Sequence, residues 1–122
     1  MKNFFHDLYE RIRESAVALR FGPSYRTKIV DELPDRMKTR TLYLIGASQP
    51  WSAALICPCG CGELIQLSLL PHDSPSWRCH FESKRKPSLE PSIWRTTGCR
   101  SHFFLRRGRI VWCHHQGQTQ QN

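Results

Sequence analysis

The chain has no run of about 18 apolar residues, so no segment reads as a transmembrane helix. Its first residues, Met1-Lys2-Asn3-Phe4-Phe5-His6-Asp7, lack the long apolar stretch and the small-residue cleavage site of a signal peptide. Together these absences predict a cytoplasmic protein with no membrane partner. Acidic residues are scarce too: 10 Asp and Glu face 18 Lys and Arg, a formal charge of +8. That balance favours phosphate backbones, anionic membranes or acidic proteins without choosing among them. Apolar residues are only 39% of 122, which leaves a thin core for one domain. There is no internal repeat, no pair of cysteines with two residues between them as in a zinc ribbon, and no clear general base beside the cysteines.

What the chain does hold is thiols in an unusual arrangement. Cys57-Pro58-Cys59-Gly60-Cys61-Gly62 puts three sulfurs at alternate positions, separated only by Pro and Gly. A reducing compartment turns clustered cysteines toward metal rather than disulfides. So short a run also cannot easily send three bridges in different directions. Further on, Cys99-Arg100-Ser101-His102 offers a thiol and an imidazole at i and i+3, within reach of one ion from a single turn. Thiolate and imidazole suit Zn²⁺, which takes four such ligands in a tetrahedron. Two sulfurs of the first segment would complete the set, and the spacing does not rank Cys57, Cys59 and Cys61. Cys79, His80, His114 and His115 are weaker candidates. A closed site of four protein ligands leaves no place for water or substrate, so the site reads as structural and no catalytic residue is assigned.

The hydrophobic pattern predicts a mainly β protein, a small zinc-stabilised antiparallel sheet with an N-terminal α-helix. Phe4, Phe5, Leu8, Ile12, Ala16 and Leu19 form one apolar stripe at helical spacing, which ends at Phe21-Gly22-Pro23. The expected organisation is a helix over 1–22, a zinc-binding β domain over 23–115 and a disordered Gln-rich tail over 116–122. Strands are expected at 42–45, 51–56, 63–70 and 77–81, with the cysteine run at the tip of the hairpin joining the second and third. Residues 89–94 read as an extended edge, because Pro87 and Pro91 deny a regular ladder. A last hairpin turns at Arg107-Gly108 and pairs Leu105 with Ile110, Phe103 with Trp112 and His102 with Cys113. That register brings Cys113 beside His102 and makes it a sixth candidate ligand.

One combination of segments is specific. It comprises Leu42-Tyr43-Leu44-Ile45-Gly46, Pro50-Trp51, the cysteine run, Trp77, Pro91-Ser92-Ile93-Trp94, Gly98-Cys99-Arg100-Ser101-His102-Phe103 and Arg109-Ile110-Val111-Trp112. It resembles a family of small bacterial proteins of unknown function, predicted to bind metal. Members of that family are found beside genes for a ubiquitin-like modifier, E1-like and E2-like enzymes and a JAB-type deubiquitinase. The resemblance covers about residues 42–113. It implies a metal-ligand role for Cys57, Cys59, Cys61, Cys99 and His102, and an accessory or adaptor role in ubiquitin-like conjugation. The implied partners are the ubiquitin-like protein or the E1/E2-like enzymes. Two other functions stay open on the residues themselves. One is nucleic-acid binding through Lys84-Arg85-Lys86, Arg100, Arg106, Arg107 and Arg109 with interleaved Phe103, Phe104 and Trp112. The other is a zinc- or thiol-dependent enzyme of the same pathway.

Overall fold

A computed structural model describes residues 24–82 and 86–113. The helix expected over 1–22 and the tail over 116–122 lie outside the described residues. Within them the chain forms eight strands: β1 (Arg26–Val30), β2 (Thr41–Ile45), β3 (Ser52–Ile56), β4 (Leu64–Ser68), β5 (Arg78–Glu82), β6 (Lys86–Trp94), β7 (His102–Arg106) and β8 (Arg109–Trp112). They build two four-stranded sheets, ordered β1-β2-β3-β4 and β5-β6-β7-β8. The single antiparallel sheet expected from the pattern is therefore two sheets, and β1 runs parallel to β2. Among the described residues no helix is long and apolar enough to cross a membrane.

The two sheets bury one shared core. Leu42, Leu44, Ala53, Leu55, Ile65 and Leu67 from the first sheet meet Leu89, Ile93, Phe103, Leu105 and Ile110 from the second. Every residue of β2 is buried, which explains why Leu42-Tyr43-Leu44-Ile45 shows no alternation. By contrast, β4 alternates exposed Leu64 and Gln66 with buried Ile65 and Leu67, as its sequence suggests. A backbone hydrogen bond at Gly108 ties the sheets together: its carbonyl accepts from Tyr25 N–H, just before β1, at 2.7 Å, while its own N–H donates within the second sheet to the Pro87 carbonyl at 2.7 Å.

The final hairpin has the expected register, with Arg106 opposite Arg109, Leu105 opposite Ile110 and Phe103 opposite Trp112. Its turn residues Arg107 and Gly108 have φ of 50° and 76°, the paired left-handed conformation whose twist matches two short strands. The expectation for 89–94 holds in part: these residues end β6, which lies between β5 and β7, but β5 pairs only as far as Glu90, and Ile93 and Trp94 pair with β7 alone. The register with β7 shifts between Leu89 and Ile93, so an irregularity in the ladder absorbs Pro91, which has no N–H to offer. Leu89 and Ile93 on either side are fully buried, and their burial holds the interrupted strand in the sheet.

Candidate functional site

The hairpin joining β3 and β4 is closed by Cys57 N–H donating to the Glu63 carbonyl at 2.8 Å. Its tip therefore holds Cys57, Cys59 and Cys61, as expected. The loop from β6 to β7 is closed by Arg95 N–H donating to the Ser101 carbonyl at 2.8 Å, which brings Cys99 over the same spot. Gly98 makes this approach possible. It has φ of 65°, and a Cβ there would come within 2.8 Å of a Glu63 carboxylate oxygen. The sulfurs of Cys57, Cys59, Cys61 and Cys99 all lie within 4.8 Å of one another. Cys57 Sγ is 3.5 Å from both Cys59 Sγ and Cys99 Sγ. A tetrahedral ion with metal–sulfur bonds of about 2.3 Å spaces its sulfurs by roughly 3.8 Å, so the four thiols fit a zinc-type centre.

The surroundings favour thiolate. The Cys61 N–H donates to Cys59 Sγ at 3.4 Å, and the Ser101 hydroxyl lies 3.1 Å from Cys99 Sγ. Burial works to raise the Cys99 thiol, but hydrogen bonds from the Ser101 side chain and backbone outweigh it and bring the pKa to about 6. Cys59 is likewise lowered, its burial overcome by hydrogen bonds from Ser101 and Cys61. Cys57 moves the other way, to about 12, chiefly because burial disfavours its charge. The Cys57 Sγ lies within donating distance of Cys59 Sγ, at 3.5 Å. Arg95 completes the electrostatics. Its Nη1 donates to Glu63 at 2.9 Å and reaches Cys99 Sγ at 3.4 Å and Cys61 Sγ at 3.6 Å. Its pKa is raised, first by the Glu63 carboxylate and then by the thiols. Neither Arg95 nor Ser101 stands out in the sequence, because both act on the sulfurs from outside the ligand spacing.

His102 and Cys113 lie outside the group of four sulfurs. Cys113 takes the expected place beside His102, where its N–H donates to the His102 carbonyl at 2.9 Å. Cys79 is directed into the sheet, packs against the core, and has its pKa raised by burial to about 11. The His102 imidazole points to another partner: its Nε2 is 2.8 Å from the Ser92 hydroxyl oxygen.

This contact follows from the pleat. Ile93, Phe103 and Leu105 face the core, so Ser92, Trp94, His102, Phe104 and Arg106 share the opposite face of the second sheet. Trp94 is directly across from His102, and the two rings stack with centroids 4.5 Å apart and planes 4° from parallel. Ser92, two residues before Trp94, is the diagonal neighbour that His102 Nε2 can reach. The Ser92 carbonyl accepts from the Trp77 indole N–H at 3.3 Å, which ties down the backbone under the hydroxyl. A serine hydroxyl hydrogen-bonded to a histidine held by a stacked ring is the nucleophile–base arrangement of acyl transfer. Sequence reasoning missed it. Ser92 and His102 share no motif, and the shifted register between β6 and β7 conceals their proximity.

A family described as "Bacterial ubiquitination-like system serine protease (BubE)" matches residues 29–113. The chain belongs to that family. The matched span contains all four clustered thiols together with Ser92 and His102. Membership supports a role in a bacterial ubiquitination-like system. No curated protein and no solved structure gives a significant match.

Proposed function

We propose that the chain is a serine hydrolase of a bacterial ubiquitination-like system, with Ser92 as nucleophile and His102 as general base. The observation that carries this reading is the 2.8 Å contact between Ser92 Oγ and His102 Nε2. The family description, a serine protease, agrees with it. In the first half-reaction the Ser92 hydroxyl attacks a carbonyl carbon while Nε2 takes its proton. The imidazolium then gives that proton to the departing amine or alcohol, and the acyl group stays on Ser92. In the second, His102 takes a proton from water, the resulting hydroxide attacks the acyl carbon, and the proton returns to Ser92 Oγ. Trp94 holds the ring in its plane throughout, and the sheet supplies a rigid base.

The four thiols support a separate role. Cys57, Cys59, Cys61 and Cys99 would hold a zinc ion that supplies cross-linking rather than chemistry, because four protein ligands leave no open position. Cys99 and His102 lie three residues apart, so the ion would hold down the start of β7 and thereby His102.

The test is an active-site-directed fluorophosphonate, which reacts with activated serines. Labelling of Ser92 in the parent chain, lost in Ser92→Ala and in His102→Ala, is the expected result. Labelling that persists in Ser92→Ala would rule the assignment out. An adaptor role remains the second reading, favoured by exposed Trp51 and Trp112, at 50% and 42%. It predicts that Ser92→Ala keeps both its partner and full cellular function, whereas the hydrolase reading predicts a retained partner and lost function.

A further inference from the structure

Beyond the dyad itself, we infer that the outer face of the second sheet beside Ser92 receives an acidic stretch of the protein substrate, which makes Arg78 and Arg106 specificity residues. The inference rests on the hydrolase reading. A groove on this face is lined by Arg78, His80, Glu90, Phe104, Arg106 and Arg107. It begins at Pro91, the residue before Ser92, and at Phe104, two residues past His102 on the same face of β7. A segment lying in the groove is thus continuous with one whose carbonyl is presented to Ser92.

The charge of the groove is one-sided. Among the described lining residues, three guanidinium groups accompany a single carboxylate, Glu90. That carboxylate lies 3.3 Å from Arg78 and 4.0 Å from His80. The Arg78 and Glu90 side chains are 71% and 56% exposed, so their pairing is weak and gives way to an incoming carboxylate. Arg106 lies flat on Phe104, its guanidinium carbon 3.9 Å from the ring centroid. That contact holds the charge over the sheet and covers the Phe104 ring; the other aromatic ring among the described lining residues is the His80 imidazole, which faces Glu90 at 4.0 Å. Single-stranded nucleic acids bind chiefly where open rings accompany the basic groups, so the groove suits carboxylates on a polypeptide better. In an extended segment alternate side chains face one way, so two or three acidic residues would meet the arginines together.

The experiment measures fluorescence anisotropy of short labelled peptides, one Asp/Glu-rich and one with Lys at the same positions, on full-length Ser92→Ala. A single-stranded oligonucleotide serves as competitor. The acidic peptide is expected to bind at least tenfold more tightly than the Lys peptide, with affinity falling as salt rises. Reversing two charges, with Arg78→Glu and Arg106→Glu together, should weaken the acidic peptide about tenfold or more. In a chain that keeps Ser92, the same reversal should leave fluorophosphonate labelling within about twofold. Equal binding of the two peptides, or an oligonucleotide that displaces the acidic peptide at lower concentration, would overturn the inference. The peptide comparison needs no altered groove, so it decides the matter even if the reversed variant does not fold. Labelling separates the two readings. Labelled Ser92 without acidic preference removes the docking surface alone, and acidic preference without labelling removes the serine chemistry and the specificity role with it.

Discussion

The thiol cluster and the Ser92–His102 pair lie on either side of one short segment, Cys99 to His102, yet they are built in opposite ways. The cluster is a product of loops. Three of its sulfurs come from a single turn, and the fourth arrives where Gly98 lets a second turn close on the first. The dyad is a product of strands, and it depends on a register that shifts between Leu89 and Ile93. A loop-built site announces itself through residue spacing, whereas a strand-built site is visible only once the pairing is known. Ser101 and His102 mark the boundary: Ser101 lies against the sulfurs, and the next side chain points to the other face of the sheet.

The largest effect should fall on the dyad. Ser92→Ala is expected to lower the proposed hydrolytic turnover by about 10³-fold or more. Its folding stability should change by only about 1 kcal/mol, the net worth of one hydrogen bond. Rate assays alongside urea denaturation check this, and a comparable loss of stability would mean the pair is structural.

Cys99→Ala should reverse the pattern. Removing one of the four thiols proposed to hold zinc is expected to cost this thin-cored domain about 3 kcal/mol or more, with metal lost in stoichiometry measurements. Activity should fall with it, because His102 is anchored through the same segment. A variant that is metal-free yet as stable as the parent would break the comparison at its first region. Chelation of the parent should reproduce the same loss.

Smaller effects sharpen the boundary between the regions. Arg95→Gln removes the charge that faces Cys61 and Cys99 but leaves all four thiols, so metal affinity should drop about tenfold in competition with a chromophoric chelator. Trp94→Ala should reduce the rate by a few-fold to about tenfold, since a stacked aromatic pair is worth about 0.5–1.5 kcal/mol. Trp94 is 51% exposed, so its loss should barely move the thermal midpoint. A large stability loss there would show that the stack supports the fold rather than the ring orientation of His102.

Much of the framework was legible in advance for local reasons. Alternation of Ile65 and Leu67 with Leu64, Gln66 and Ser68 marks β4, and Pro and Gly around three cysteines mark a tight turn. The Arg107-Gly108 turn sets its own register, and the expected pairs of β7 and β8 are those observed. The division into two sheets was not legible, because a fully buried strand such as β2 carries no alternation to say which neighbours it has. The place of β6 was legible in part: its prolines suggested an edge, which fits Ile93 and Trp94 paired with β7 alone, but not Lys86 to Glu90, which pair with β5.

By itself, then, the order of residues determined the thiol-bearing turns, the strand-forming stretches and the basic charge. Each depends on neighbours a few positions apart, where spacing and backbone preference suffice. Only the tertiary structure decided that His102 leaves the sulfur group and meets Ser92. That choice depends on which way a side chain points from a sheet whose register shifts between Leu89 and Ile93, and a shift in pairing selects a different diagonal neighbour.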